Sequence, residues 1–389
     1  MNDPLLFSPF PLRDVVLKNR VVASPMWQYA GRRGRPCDWH LMNLGRLADG
    51  GSGLVMQEGT SVERRGCGTV GDLGLWSDES LAFYRRMTAL VVACGAVPGV
   101  QLMHSGRKAR QQLPWEGRGA LERTPAVEDW DAWEPIALGA IAHSQGLPVP
   151  REMGLADIQH AVEAFAAAAV RADRAGYRVL QIHAAHGYLL HTFLSPVSNR
   201  RTDAYGGGFA GRARMLLEVV EAVRAVWPEG KPISVRLSCI DGVAGGWSLE
   251  DTFSLVRLLH TRGVDLIDCS SGGMDNSLFT EGLPITYGYQ AKLAEAVRRE
   301  TGVPAAAVGL IVHAHQAEQL LASGQADLLC LARELIYNPN WPLDAARKLE
   351  AAQGFDVLQR RSALWLQKRA DAVPHLVPST FPDPFAPVP

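Results

Sequence analysis

No Cys-x-x-Cys pair occurs in these 389 residues, and the six cysteines, Cys37, Cys67, Cys94, Cys239, Cys269 and Cys330, stand far apart. Zinc ribbons and iron–sulfur clusters need clustered thiolates, so this spacing speaks against both. Scattered thiols suit a reducing compartment better than a disulfide framework, which points to the cytoplasm. An excess of one charge is equally lacking: 39 Lys and Arg against 40 Asp and Glu leave a net charge of −1. No basic block stands out, so nucleic acid is not an expected partner. No apolar run approaches the ~20 residues that cross a bilayer, so no membrane is expected either. The opening MNDPLLFSPFPLRDVV lacks a basic flank followed by an unbroken apolar core and does not read as a secretory signal.

What the chain does have is alternation. Short β-branched runs occur at 20–24, 53–57, 97–103, 178–184, 232–238, 264–270, 303–309 and 326–332. Helical patterns separate them, such as LADIQHAVEAFAAAAVRADRAG, with Gly176 as its terminator, and SLEDTFSLVRLLHTRG, opened by Ser248 and closed by Gly263. Eight strands with intervening helices fit a closed (β/α)8 TIM barrel, with an open doubly wound sheet as the alternative. Residues 110–155 form a long polar insert after the third strand, with Trp115, Trp130 and Trp133, and read as a cap over the barrel mouth. The division expected is a barrel over 1–345 and a C-terminal extension over 346–389, whose Pro-rich end LVPSTFPDPFAPVP is not helical.

Parallel strands covered on both faces should be apolar on both. Three of these strands are not. Side chains alternate along a strand, so Val179, Gln181 and His183 share one face, as do Ser234 and Arg236, while Gln101 opposes Val100 and Leu102. If the apolar faces pack on helices, then Gln101, His183 and Arg236 point into the barrel near its C-terminal end, where barrel enzymes hold ligands. A buried Arg is costly unless paired, which implies either an anionic ligand or an internal carboxylate partner.

The stretch RVLQIHAAHGYLLHTFLSP crowds His183, His186 and Tyr188 just past a strand. Two histidines three apart are compatible with a metal site, but no third ligand follows at helical spacing, and HAAHGY is not H-E-x-x-H. The other readings are two satisfied loop histidines, or two imidazole donors on one oxygen with Tyr188 as acid. Spacing alone leaves all three open.

With these residues in place, the chain resembles the FMN-dependent old yellow enzyme family, particularly its bacterial thermophilic-like branch. The resemblance runs from LFSPFPLRDVVLKNRVVASPM to CLARELIYNPNWP, with AGYRVLQIHAAHGYLLHTFLSPVSNRRTDAYGGGFAGRARMLLEVV as the longest block. It implies a TIM barrel that holds FMN and takes electrons from NADPH or NADH. His183 and His186 match the pair that grips a substrate oxygen, Tyr29 a second hydroxyl reaching it, and Tyr188 the proton donor. Arg236 matches the cation beside the flavin pyrimidine edge, with Gln101 and Gly59 lining that edge. The backbone of Ser24, Pro25, Met26 and Trp27 matches the segment beside the isoalloxazine, and Gly309, Ala332 and Arg333 the phosphate cradle. The implied reaction is reduction of an activated alkene, such as an enone, by hydride from flavin N5 and a proton from Tyr188. A small-molecule substrate and a homodimer or homotetramer are implied as well.

Trp27 departs from the pattern, because this branch usually has Cys there. An indole is larger and donates only, which implies either a reshaped pocket and altered flavin potential or a ring packed away from the flavin. Ala332 replaces a usual Gly, and GGGFAGR replaces a more polar segment. In QRRSALWLQKRA, Arg360, Arg361 and Trp365 fall where the branch can insert a side chain into a neighbour's site; a plain surface helix is the alternative. His104, Arg107 and Lys108, after the third strand, read either as solvated charge or as a docking aid for an anion. The competing functions are a flavin-dependent desaturase or alkene isomerase, a metal-dependent barrel enzyme, and a flavin-binding module without turnover.

Overall fold

Each of the eight β-branched runs forms a parallel strand in a computed structural model of the chain, which describes residues 3–125, 127–274, 280, 283–375 and 380. They are β1 (Val21–Ala23), β2 (Leu54–Ser61), β3 (Val97–Met103), β4 (Val179–Ala184), β5 (Ile233–Ser238), β6 (Leu266–Ser270), β7 (Ala305–Val308) and β8 (Leu328–Leu331). Each pairs with the next in chain order, and β1 pairs with both β2 and β8, which closes the sheet into a barrel. The open-sheet alternative is thereby excluded. Outside run the helices α1 (Asp38–Asp49), α2 (Leu81–Ala93), α3 (Leu155–Arg174), α4 (Phe209–Val226), α5 (Leu249–His260), α6 (Ala291–Thr301), α7 (Ala314–Ala322) and α8 (Trp341–Lys348).

The helix ends follow local chemistry. Ser248 Oγ accepts the Asp251 amide at 3.2 Å to open α5. Gly176 follows α3 at φ +90°, a left-handed conformation that favours glycine. Strand β2 runs four residues beyond the apolar window at 53–57. A register shift between Gln57 and Gly59 lets Gly59, Thr60 and Ser61 pair with Gln101, Leu102 and Met103. Gly and polar residues inside a strand broke the apolar pattern there.

Two apolar layers hold the barrel. The larger lies between sheet and helices, where Phe165, Val219, Leu255 and Val297 are fully buried. The smaller fills the barrel's lower interior with Val22, Leu54, Val179, Leu266 and Leu328. An antiparallel hairpin, Phe10–Leu12 with Val15–Leu17, seats Leu12, Val15 and Leu17 in that layer and seals the floor. Most polar strand residues thus lie above this layer, with Ser234 at its upper margin opposite Leu266.

The insert after β3 is anchored by Trp133, which is fully buried and donates from Nε1 to Cys67 O at 2.9 Å. The Arg64 guanidinium stacks 3.8 Å over the Trp133 ring and pairs with Asp129 at 2.6 Å. At the far end, a helix over Arg360–Ala372 packs Ala363 against Leu343 and Phe355 while leaving Leu364 and Trp365 exposed. Apart from Thr380, LVPSTFPDPFAPVP lies outside the described residues. Among the described residues, no helix is long and apolar enough to cross a membrane.

Candidate active site

The upper interior of the barrel is a polar layer built by strand register. Gln101 is opposite Gln181, and Arg236 lies between His183 and Asp268. Gln101 Nε2 donates to Gln181 Oε1 at 2.7 Å, and Gln181 Nε2 donates to Asp268 Oδ2 at 3.2 Å. Arg236 Nε lies 3.5 Å from Asp268 Oδ2. A strong charge-assisted bond would be ~2.7–2.9 Å, so this is a loose pair. Arg236 Nε and Asp268 Oδ1 are both buried without a hydrogen-bond partner. Arg236 therefore has a loose internal carboxylate partner, with its Nε hydrogen unused. Burial raises the Asp268 pKa, with Arg236 and Gln181 pulling the other way. Asp268 was findable in the sequence, because Leu266, Asp268 and Ser270 alternate onto one face.

The HAAHGY loop rises from β4 beside that layer. His183 Nδ1 accepts the Ala185 amide at 3.2 Å, which leaves the ring hydrogen on Nε2 as a donor. His186 has φ +59°, donates its amide to Ser238 Oγ at 3.0 Å, and sets Nε2 2.7 Å from Ser270 Oγ. The His183 ring meets His186 edge-on at 5.1 Å and Tyr188 at 5.0 Å. Burial, then the Arg236 charge, lowers both histidine pKa values well below the usual range, so both are neutral at pH 7. Burial, reinforced by Tyr29 and Asp72, raises the Tyr188 pKa well above the ordinary phenol, so its proton stays on. The loop offers one neutral donor at His183 Nε2, a neutral His186 held by Ser270, and a protonated phenol.

His104, Arg107 and Lys108 are not solvated. Lys108 Nζ donates to His186 O at 2.6 Å and to Gly273 O at 3.2 Å, bracing the HAAHGY loop. Arg107 Nη2 donates to Met274 O at 2.9 Å, and His104 Nε2 lies 3.2 Å from Glu63.

Trp27 faces the site. Its ring meets Tyr188 edge-on at 5.3 Å and stacks near Tyr29 at 6.3 Å. Its Nε1 donates to Gly59 O at 2.9 Å, so the one indole donor is already engaged. A Cβ on Gly59 would lie 2.9 Å from Trp27 Cζ2, so the glycine makes room for the indole. Ser24, Pro25 and Met26 run beneath, and the Gln28 amide is held by Glu58, whose other oxygen contacts His40 Nε2 at 3.0 Å. Burial raises the Glu58 pKa, and His40 opposes it. The Glu58–His40 pair went unread in the sequence, since its partners share no local motif.

Two cavities open at this level. One of about 530 Å³ is lined by Trp27, Tyr29, Asp72, Ser105 and Tyr188, with a wall from the insert that includes Gln112, Arg118 and His143. The other, of about 390 Å³, is lined by His186, Arg236, Ser270, Gly309, Ala332 and Arg333. Both volumes fall in the usual small-ligand range, ~300–1,000 Å³. Gly309 has φ +113° at the end of β7, and Ala332 caps the short helix Arg333–Tyr337 after β8. His183 and Gln101 line neither cavity; His183 touches the rings of His186 and Tyr188, which line one each.

A phosphate-bearing ring system that takes up negative charge suits these residues. Arg333 and the turns at Gly309 and Ala332 gather at the barrel's phosphate position. Arg236, whose Nε has no hydrogen-bond partner, lines the same cavity as His186, Gly309 and Arg333, so the residues fit FMN. The fold and site together define a flavin oxidoreductase built on a TIM barrel. The family model described as "NADH:flavin oxidoreductase / NADH oxidase family" matches residues 5–352, and the chain belongs to that family. It is 41% identical over 347 residues to an NADPH dehydrogenase of Geobacillus thermodenitrificans, covering 89% of this chain and 94% of the relative. An NADPH dehydrogenase of Listeria monocytogenes is 40% identical over 346 residues, covering 88% and 95%. Among solved structures, morphinone reductase superposes with a TM-score of 0.73 at 27% identity, covering 90% of this chain and 91% of that one. An old yellow enzyme homologue from Zymomonas mobilis also gives 0.73, at 25% identity, covering 89% and 93%. The protein is an FMN-dependent, NAD(P)H-using oxidoreductase of old yellow enzyme type.

Proposed function

We propose that the protein reduces electron-poor carbon–carbon double bonds, enones first among them. The observation that carries this reading is the edge contact of the neutral His183 ring with the protonated Tyr188 phenol, 5.0 Å between centroids, beside the cavity that Tyr188 lines. Bound FMN supplies the redox chemistry, passing a hydride from NAD(P)H to the acceptor. His183 Nε2–H, with His186 beside it, polarises the carbonyl oxygen and makes the β-carbon electrophilic. Tyr188 gives its phenolic proton to the α-carbon, so one hydride and one proton saturate the bond. Arg236 would hold the flavin and offset negative charge there, while Gly309, Ala332 and Arg333 would hold its phosphate. Tyr29 is the further hydroxyl on the substrate side. Trp27 narrows that side, and through its bond to Gly59 O it would tune the potential of a bound flavin.

The exposed Leu364 and Trp365, with Arg360 and Arg361 beside them, support contact with a neighbouring subunit in a homodimer or homotetramer. Six free cysteines suit the cytoplasm.

An anaerobic absorbance titration tests the reaction. A yellow protein bleached by NADPH and reoxidised by cyclohexenone, with net NADPH consumed, supports it over an isomerase. Bleaching without reoxidation by any enone refutes alkene reduction. Tyr188→Phe is expected to slow the enone step by roughly 10²–10⁴-fold with FMN retained.

A further inference from the structure

Behind the catalytic loop lies a buried pair that the proposed chemistry does not use. His191, on the short helix Leu189–Leu194, is 0% exposed, and Asp241, between β5 and α5, is 3% exposed. His191 Nδ1 accepts the Gly187 amide at 2.9 Å. A ring nitrogen that accepts carries no hydrogen, so the hydrogen of neutral His191 sits on Nε2. Nε2 is 2.9 Å from Asp241 Oδ1, a close electrostatic contact in which neither atom has a partner at full hydrogen-bond geometry. The other carboxylate oxygen accepts Ser195 Oγ at 2.6 Å and the Trp247 amide at 2.7 Å. Burial pushes the Asp241 carboxyl up, but His191, Ser195 and Trp247 more than offset this and keep it ionised.

The turn this pair holds is under strain. His186 at φ +59° and Gly187 at φ +71° are consecutive left-handed residues, a conformation that crowds the Cβ of a side-chain-bearing residue against its own backbone. A Cβ on Gly187 would lie 2.1 Å from Gly273 O, so the turn is pressed against a second loop. Ser238 takes the His186 amide and Lys108 its carbonyl. His191 takes the next amide, directly before Tyr188.

We propose that His191 and Asp241 are positioning residues for the reaction: Asp241 fixes the ring tautomer of His191, and that tautomer ties down the turn that aims His186 and Tyr188. This rests on the roles given above to His186 and Tyr188.

Asp241→Asn tests it with almost no change in shape. The Trp247 amide keeps its oxygen acceptor, so the new NH2 must face His191 Nε2. That nitrogen then becomes an acceptor, the ring hydrogen moves to Nδ1, and it meets the Gly187 N–H head-on. Nitrogen-15 NMR of histidine-labelled protein is expected to show the hydrogen on Nε2 in wild type and on Nδ1 in the variant. Anaerobic reoxidation of the reduced holoenzyme by cyclohexenone should slow roughly 10- to 100-fold, with FMN content unchanged. His191→Phe should be slow as well, and adding Asp241→Asn to it should change the rate less than about twofold, because the tautomer no longer exists.

Wild-type reoxidation rates in Asp241→Asn, or losses that multiply in the double variant, would overturn the proposal. So would an Nδ1 hydrogen in wild type, a result that does not depend on the variant folding. If wild type ignores cyclohexenone, the functional reading fails, and the wild-type tautomer alone decides the tether.

Discussion

Gly59 and Trp27 should behave as one unit, and Gly59→Ala exposes the coupling. The added Cβ would lie 2.9 Å from Trp27 Cζ2, 3.0 Å from Cε2 and 3.1 Å from Nε1, a close approach to a rigid ring. Forcing atoms into a packed site costs about 1–3 kcal/mol, and losing the indole bond to Gly59 O adds about 1 kcal/mol. Restricting the unfolded chain returns about 0.4–1 kcal/mol, since Gly59 is not among the left-handed glycines. The net is a loss of roughly 1–4 kcal/mol. Trp27→Cys removes both the clash and the bond, so adding Gly59→Ala in that background should cost nothing or stabilise slightly. Chemical denaturation of the four holoproteins, followed by tryptophan and flavin fluorescence, measures the cycle. Equal losses from Gly59→Ala in both backgrounds would show that the indole does not press on Gly59, and the account of Trp27 as a pocket-facing ring would fail with it.

His183→Ala should slow enone reduction by roughly 10²–10³-fold while FMN stays bound, as for loss of one oxyanion donor; stopped-flow reoxidation reads it, and wild-type rates would sink the assignment. A third prediction concerns acid. Burial pushes Glu63 up, but His104 and Arg65 outweigh it and hold the carboxyl at about 2 against an ordinary 4.5. A depressed pKa stabilises the fold above the unfolded value and loses that contribution as pH falls from about 4.5 towards 2, about 3 kcal/mol in all. Urea midpoints for wild type and Glu63→Gln should therefore converge on acidification, and a constant gap between pH 6 and pH 3 would count against the network. Ser248→Ala should cost about 1 kcal/mol by uncapping α5, measured in the same assay.

What could be read from the sequence depended on range. His183, Arg236 and Gln101 stood out because they interrupt strands that packing on both faces requires to be apolar. Gly176 and Ser248 were visible because caps are local. The upper part of β2 was missed because Gly59 and Thr60 resemble a strand end, and only pairing with β3 keeps them extended. Glu58 with His40, and His191 with Asp241, join elements brought together by barrel closure, and nothing within a few residues marks them. The identity of Trp27 was plain, but its direction was not, because the space it fills depends on a glycine from another strand. His104, Arg107 and Lys108 looked like surface charge for the same reason: their partners Glu63, Met274 and His186 lie elsewhere in the chain.

The pairing of β1 with β8 bears on how the protein is made. Val21 shares its ladder with Leu329, and Glu318 accepts the amides of Leu5 and Leu6. During synthesis the first strand therefore leaves the ribosome with one edge unpaired and waits for nearly the whole chain before its second neighbour exists. Contacts of that sequence separation form late and slowly. The interval leaves an apolar edge open to other nascent chains, which makes late synthesis the stage most exposed to aggregation and the one where a chaperone has most to shield.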